Sequence, residues 1–111
     1  MLAAIADGAS TIHGYSDGAD CASTLRCLRD LGVQMREVSR EPVAGIELRI
    51  VGRGIRGLGA PTDVLDAGNS GSTVRMLAGI LAAHPFRISI TGDDSLRRRP
   101  MRRIIGPLER M

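Results

Sequence analysis

The sequence contains no lysine, and aromatic residues are almost as scarce. All 15 basic residues are arginine, which excludes a lysine Schiff base and a lysine-containing phosphate loop, because both need the lysine ammonium group. Tyr15 and Phe86 are the only aromatic residues. A nucleic-acid surface that stacks bases on aromatic rings is therefore not expected, and the core must be built from aliphatic side chains.

Long apolar runs and metal-ligand spacings are also missing. No apolar run approaches the ~20 residues that span a bilayer, and no secretory signal pattern opens the chain. We therefore expect no membrane contact and a cytoplasmic location. Cys21 and Cys27 lie six residues apart on different helix faces, and His13 and His84 are the only histidines. This pattern predicts no metal site, and predicts reduced, structural cysteines.

Enough apolar sequence is present for one domain, and the positive charge is concentrated at one end. The 111 residues are 43% hydrophobic, which suits a single core. The net charge is +3, and the clustering indicates either an anionic partner or a solvated basic surface. The last fifteen positions hold six of the arginines: Arg97, Arg98, Arg99, Arg102, Arg103 and Arg110.

The hydrophobic pattern predicts helices alternating with strands, and hence a mixed α/β (α+β) fold. Gly106 and Pro107 predict a kink or a restart in the last helix. In chain order the expected elements are a helix over 1–7 closed by Gly8, a strand over 10–13, a helix capped by residues of the segment Asp17 to Asp20 and ending near 31, a hairpin of strands 33–39 and 45–51, a helix that follows the GNSGS turn of residues 68–72 with a buried stripe of Val74, Met76, Leu77, Ile80 and Leu81, a strand over 86–91, and a helix begun by Pro100.

The two ends of the chain resemble each other. Residues 1–5 match residues 76–80 at four positions, and each stretch continues as strand, glycine, acidic loop and helix. A shared order of elements favours a duplicated β/α unit. We expect a first β/α unit over 1–52 and a second unit over 53–111.

The first motif with a chemical meaning is LDAGNSGSTVR, residues 65–75. Asn69, Ser70 and Ser72 are suited to cap the helix that follows, and Gly71 lets a ligand approach the backbone closely. Free N–H groups and the positive end of a helix favour a phosphate or a carboxylate. The same residues also suit an ordinary polar helix cap, and the pattern alone leaves both interpretations open.

The second motif is TGDDSLRRRPM, residues 91–101. Arginine suits bidentate contact with a carboxylate or a phosphate. Neighbouring side chains in a loop point in different directions, so we expect one of the three consecutive arginines to face a ligand. The others are expected to be solvated or paired with Asp93 and Asp94, which should stay ionised beside so much positive charge.

Three segments together resemble a known family. GADCASTLRCLRDLGV, LDAGNSGSTVRMLAGILA and GDDSLRRRPMRRIIGPLERM, in this order, are similar to the N-terminal domain of 3-phosphoshikimate 1-carboxyvinyltransferase, the enolpyruvylshikimate phosphate synthase of aromatic amino-acid biosynthesis. The resemblance runs over essentially the whole chain. It implies a fold of repeated βαβαββ units, with one unit and part of a second in this chain.

The resemblance also implies an activity and a set of site residues. The family moves the carboxyvinyl group of phosphoenolpyruvate to the 5-hydroxyl of shikimate 3-phosphate, without a metal or an organic cofactor, and is the target of glyphosate. It implies that Gly71 lies against phosphoenolpyruvate and that Arg99 binds the same ligand. The residues that match the family loop and are expected to shape it are Asn69, Ser70, Ser72 and Arg75.

No catalytic acid or base of the family is matched within these residues. The resemblance covers roughly a quarter of such an enzyme, so we expect a fragment, a truncated gene product or one piece of a split enzyme that is inactive without the remainder. The alternative is a non-catalytic, arginine-rich module that binds anions or RNA. Scarce aromatic residues and the match to both family loops argue against that alternative, and we expect no nucleic-acid partner.

Overall fold

The computed structural model describes all residues, Met1–Met111. Helices and strands alternate as expected, and none of the helices has the length and apolar character needed to cross a membrane. In chain order the elements are α1 (Leu2–Ile5), β1 (Ala9–Tyr15), α2 (Ala19–Asp30), β2 (Gln34–Glu41), β3 (Gly45–Val51), β4 (Leu65–Asp66), α3 (Gly71–Leu81), β5 (Ile90–Thr91), α4 (Asp94–Arg97) and α5 (Arg102–Glu109).

The mixed α/β class is confirmed. The elements up to β3 run α, β, α, β, β, which are the last five of the expected βαβαββ order. The same order of helix, strand and helix recurs from α3 onward. However, β1 pairs in an antiparallel sheet and β5 in a parallel one. The proposed duplication and the boundary at residue 52 remain predictions.

The first half of the chain forms a three-stranded antiparallel sheet in the order β1-β3-β2. The predicted hairpin of β2 and β3 is confirmed. Alternate residues of β3, Ile46, Leu48 and Ile50, are buried, because side chains on a strand alternate between its two faces. One face of the sheet therefore carries the core, and the opposite face of β3 carries Glu47, Arg49 and the exposed Val51.

Helix α2 covers the apolar face of this sheet. Leu25, Leu28 and Leu31 are all buried, as their helical spacing predicts. Cys27 is also fully buried, its thiol lies 3.5 Å from the Asp66 carbonyl oxygen, and burial raises the pKa of this thiol. Helix α2 is thereby packed against both the antiparallel sheet and β4.

A second, smaller sheet positions the polar loops. Strands β4 and β5 are parallel and are joined through α3, since parallel neighbours need a crossover connection. The strand predicted over 86–91 is shorter than expected, because only Ile90 and Thr91 pair. Its partner β4 has two residues, so the apolar alternation of the preceding residues finds no ladder to join.

The C-terminal helix differs from the prediction at both positions that involve proline. It begins at Arg102, with Met101 as N-cap, so the prediction that Pro100 is its first residue was wrong. Helix α5 also continues through Pro107, so the predicted restart was wrong, whereas the predicted kink stays a prediction. The amide hydrogen that Pro107 lacks would pair with the Arg103 carbonyl. Arg103 is exposed, where a missing helical bond is least costly.

Three other helix predictions need correction. Helix α1 ends at Ile5, where Ala6 turns to an extended conformation, although Gly8 does take a positive φ of 82°. Helix α2 starts after Gly18, inside the expected segment 17–20, but no side chain caps it. Met76 is 62% exposed, because it lies about 100° around the helix from its buried neighbour Leu77.

Candidate functional site

The two predicted anion-binding motifs lie side by side at one edge of the small sheet. The 67–70 loop follows β4, and Gly92 and Asp93 follow β5. Parallel strands end at the same sheet edge, which is where α/β folds bind ligands. The Asp93 N–H donates to the Gly68 carbonyl at 2.9 Å, and the Asn69 side-chain amide donates to the Asp93 carboxylate at 2.7 Å. The fold therefore joins motifs that are separated along the chain.

Ser70 is the N-cap of α3. Its hydroxyl oxygen accepts the Thr73 N–H at 3.2 Å and the Thr73 hydroxyl at 2.7 Å. The Thr73 hydroxyl also lies 2.7 Å from that of Thr24 on α2. Ser70 and Thr73 are fully buried, whereas Ser72 is exposed with its hydroxyl 3.2 Å from that of Ser70. Ser70 thus secures the helix end from inside, and Ser72 faces outward.

The first turn of α3 presents free backbone donors. Gly71 and Ser72 are its first two residues, and their N–H groups have no hydrogen-bond partner, as is usual at a helix N-terminus. The aligned peptide dipoles add partial positive charge at this end. Both features favour an anion over Gly71.

Two guanidinium groups converge on Gly71. A β-carbon at this position would lie 3.0 Å from Nη1 of Arg99 and 3.1 Å from Nη1 of Arg75. Arg75 reaches it because residues four apart share a helix face. Both arginines are half-buried, and neither has a carboxylate within 4 Å; the ion pairs of the chain lie elsewhere, at Arg40 and His13. The two positive charges are therefore available to a ligand.

Asn69 and α4 hold Arg99 in place. Its Nη2 donates to the Asn69 side-chain oxygen at 2.9 Å, and its backbone N–H donates to the Leu96 carbonyl at 3.0 Å. Asp93 caps α4 by accepting the Leu96 N–H at 2.8 Å. This bond first, and the Asn69 amide second, lower the pKa of Asp93. Contrary to expectation, neither Asp93 nor Asp94 forms an ion pair with an arginine.

The three consecutive arginines have different surroundings. Arg97 and Arg98 are exposed, and Nη2 of Arg97 donates to the Thr91 hydroxyl at 3.2 Å. Arg98 makes no side-chain hydrogen bond. Of these three arginines, only Arg99 lies close to Gly71. A cavity of about 270 Å³ opens beside Arg99. Its apolar walls are Val74, Ile90, Leu96 and Met101.

Sequence reasoning did not anticipate two features of this site. The sequence predicted a loop where α4 lies, although Asp93, three residues before Leu96, is a recognisable N-cap signal. The hydroxyl pair of Thr24 and Thr73 had no signal, since 49 residues separate them. No group of three or more His, Cys, Asp or Glu side chains is placed to hold a metal ion.

Comparison with known proteins identifies one family over the whole chain. The family model described as EPSP synthase (3-phosphoshikimate 1-carboxyvinyltransferase) matches residues 1–111. Relatives named 3-phosphoshikimate 1-carboxyvinyltransferase include one from Solibacter usitatus, 56% identical over 111 residues, and one from Alkaliphilus metalliredigens, 48% identical over 111 residues. In both cases the match covers 100% of this chain and 25% of the relative.

A solved structure gives the same result. The EPSP synthase from Acinetobacter baumannii superposes with a TM-score of 0.87 at 43% sequence identity. The match covers 98% of this chain and 24% of that one. The chain thus spans about a quarter of the length of the relatives it matches.

Proposed function

This chain belongs to the EPSP synthase (3-phosphoshikimate 1-carboxyvinyltransferase) family, and on that premise we propose that its Gly71 loop and Arg99 bind phosphoenolpyruvate. The observation that carries the proposal is the position of two guanidinium groups, both without carboxylate partners, at about 3 Å from where a Gly71 side chain would begin. Phosphoenolpyruvate carries a phosphate and a carboxylate, and arginine binds either group through paired N–H donors.

Each loop residue has a part in this proposal. Gly71 is buried beneath the two guanidinium groups and has no side chain of its own, so a ligand oxygen held by the arginines can approach the free N–H groups of the first turn of α3. Arg99 supplies a half-buried, oriented guanidinium, and Arg75 adds a second positive charge from the same helix. Asn69 orients Arg99, and Ser70 caps the helix from below. Ser72 is an exposed residue and contributes its free backbone N–H.

We further propose that the whole protein transfers the carboxyvinyl group of phosphoenolpyruvate to shikimate 3-phosphate in the cytoplasm. The contribution of residues 1–111 is electrostatic, since they hold the charged end of one substrate in position. The relatives are about four times as long. We therefore expect no transfer when the 111-residue chain alone is given both substrates, as measured by phosphate release, and activity only with the polypeptide that corresponds to the rest of the relatives.

The binding proposal is tested by titrating the ¹⁵N-labelled chain with phosphoenolpyruvate. We expect the amide signals of Gly71 and Ser72 to shift most. Arg99→Ala should weaken binding about ten- to a hundredfold, because a charge-assisted hydrogen bond contributes about 1.5–3 kcal/mol. Arg99→Lys should restore only part of the affinity, since an ammonium group does not reproduce the planar fork of donors.

Arg98→Ala is the matched control, because it removes the same charge from an exposed neighbour without a hydrogen-bond partner. Its binding should stay close to that of the wild type. Equal losses at Arg98 and Arg99 would show a diffuse basic surface instead of a defined site. A preference for polynucleotide over phosphoenolpyruvate, falling steeply with salt, would favour the alternative of an RNA-binding module.

A further inference from the structure

Asp93 is the one carboxylate that is linked by hydrogen bonds to Arg99, and the link is indirect. The Asn69 side chain lies between them: its amide nitrogen donates to Asp93 at 2.7 Å, and its oxygen accepts from Arg99 at 2.9 Å. Asp93, Asn69 and Arg99 therefore form a continuous chain of hydrogen bonds, which we call the Asp93 relay.

Only one orientation of the Asn69 amide satisfies both neighbours. A carboxylate accepts and does not donate, whereas a guanidinium donates and does not accept. If the amide were rotated by half a turn, its NH₂ group would face Arg99 and its oxygen would face Asp93. The ionised carboxylate of Asp93 therefore determines that the oxygen of Asn69 faces the arginine.

Asp93 also places the backbone of Arg99. Its other carboxylate oxygen accepts the Leu96 N–H and so starts α4. The Arg99 N–H in turn donates to the Leu96 carbonyl. The Asp93 carboxylate thus positions both the backbone of Arg99, through α4, and its guanidinium group, through Asn69.

The interposed amide has an electrostatic consequence. A direct ion pair between a carboxylate and Arg99 would offset the positive charge that the proposed ligand needs. The neutral Asn69 amide orients the Arg99 guanidinium without offsetting its charge, and Nη1 lies over Gly71.

From this geometry we propose that Asp93 is a positioning residue for Arg99, acting through Asn69 to present an oriented and unneutralised guanidinium to the ligand. The proposal rests on the proposed function for the identity of the ligand, but the orientation of Arg99 can be measured without any ligand. A lowered pKa of Asp93 agrees with it, because the relay needs the ionised carboxylate.

The test compares Asp93→Ser with Asp94→Ser in the 111-residue chain. Serine is a good N-cap, so Asp93→Ser should keep α4, but its short side chain does not reach Asn69. Asp94→Ser removes an equal charge from the next residue, which has no side-chain hydrogen bond or ion pair and leaves the relay intact. The readout is ¹⁵N relaxation of the Arg99 side-chain Nε, assigned by its loss in Arg99→Ala.

We expect Asp93→Ser to make the Arg99 side chain mobile while the amide-to-amide nuclear Overhauser contacts of α4 persist, and to raise the dissociation constant of phosphoenolpyruvate about fivefold. Asp94→Ser should change neither. An ordered Arg99 in Asp93→Ser, or equal effects in the two variants, would overturn the proposal. If the wild-type chain fails to bind phosphoenolpyruvate, the proposed function fails, and Arg99 relaxation alone still decides whether Asp93 positions it.

Discussion

Gly71→Ala separates the needs of ligand binding from those of folding. Gly71 begins α3 and its φ is not positive, so alanine fits the backbone. The added methyl carbon would lie 3.0 Å from Nη1 of Arg99 and 3.1 Å from Nη1 of Arg75, whereas ordinary contacts begin near 3.4 Å. Both contacts are made by the ends of flexible side chains, so the arginines should recede by a few tenths of an ångström and the helix should remain.

That displacement is small for packing and large for hydrogen bonding. The useful donor-to-acceptor range for N–H···O bonds is only about 2.7–3.2 Å, and the methyl group also covers the free N–H groups of the first turn. We expect phosphoenolpyruvate to bind about tenfold more weakly, which corresponds to about 1.4 kcal/mol. The family resemblance implies that glyphosate is a bulkier ligand of the same pocket, so its affinity should fall more than that of phosphoenolpyruvate. Stability should stay unchanged or rise by up to about 1 kcal/mol, because alanine is the better helix former.

Gly79→Ala is the matched control on the same helix. Gly79 is exposed, and a β-carbon there would meet nothing within 4 Å. This variant should gain about 0.5–1 kcal/mol of unfolding free energy and bind phosphoenolpyruvate as the wild type does. The measurements are the dissociation constant by titration and the midpoint of urea unfolding. Undiminished binding in Gly71→Ala, or a similar loss in Gly79→Ala, would refute the reasoning.

Three further predictions concern stability and titration. Ser70→Ala should lower the unfolding free energy, measured in urea, by about 1–2 kcal/mol, because it removes the cap of α3 and a partner of the buried Thr73 hydroxyl. The control Ser72→Ala, at an exposed position, should change the unfolding free energy by less than about 0.5 kcal/mol. Similar losses in the two variants would show that the cap is unimportant. Burial raises the pKa of Tyr15 to about 12, so the phenolate absorbance of the native chain should appear well above the ordinary tyrosine pKa of about 10. The free energy of unfolding should fall as pH rises from about 10 to about 12, because the unfolded chain loses this proton first. Equal titration midpoints in the native and the urea-unfolded chain would contradict this. Cys27, which is fully buried with a raised pKa, should react with a thiol reagent far more slowly than half-exposed Cys21, and only unfolding should equalise the two rates.

Local sequence patterns were sufficient for the main elements of the first half of the chain. The leucine spacing of α2 and the alternation in β3 each specify which face is buried, because helical and strand periods differ. The C-terminal part was predicted less well. The strand over 86–91 was overestimated, since strand length depends on the partner strand. The position of Pro107 also gave no indication that α5 would continue.

For the candidate site, the sequence by itself determined the chemical parts. A Gly-Asn-Ser-Gly turn before a helix and a run of arginines before proline predict anion binding, because the backbone donors and guanidinium groups are local properties of those residues. The pattern left the three arginines equivalent, and only the family resemblance selected Arg99. Tertiary structure decided which parts meet. Asn69 lies 24 residues from Asp93 and 30 from Arg99, and these groups come within hydrogen-bonding distance because β4 and β5 pair in parallel and end at the same edge. Strand pairing depends on the packing of the whole core, so a local pattern does not encode it.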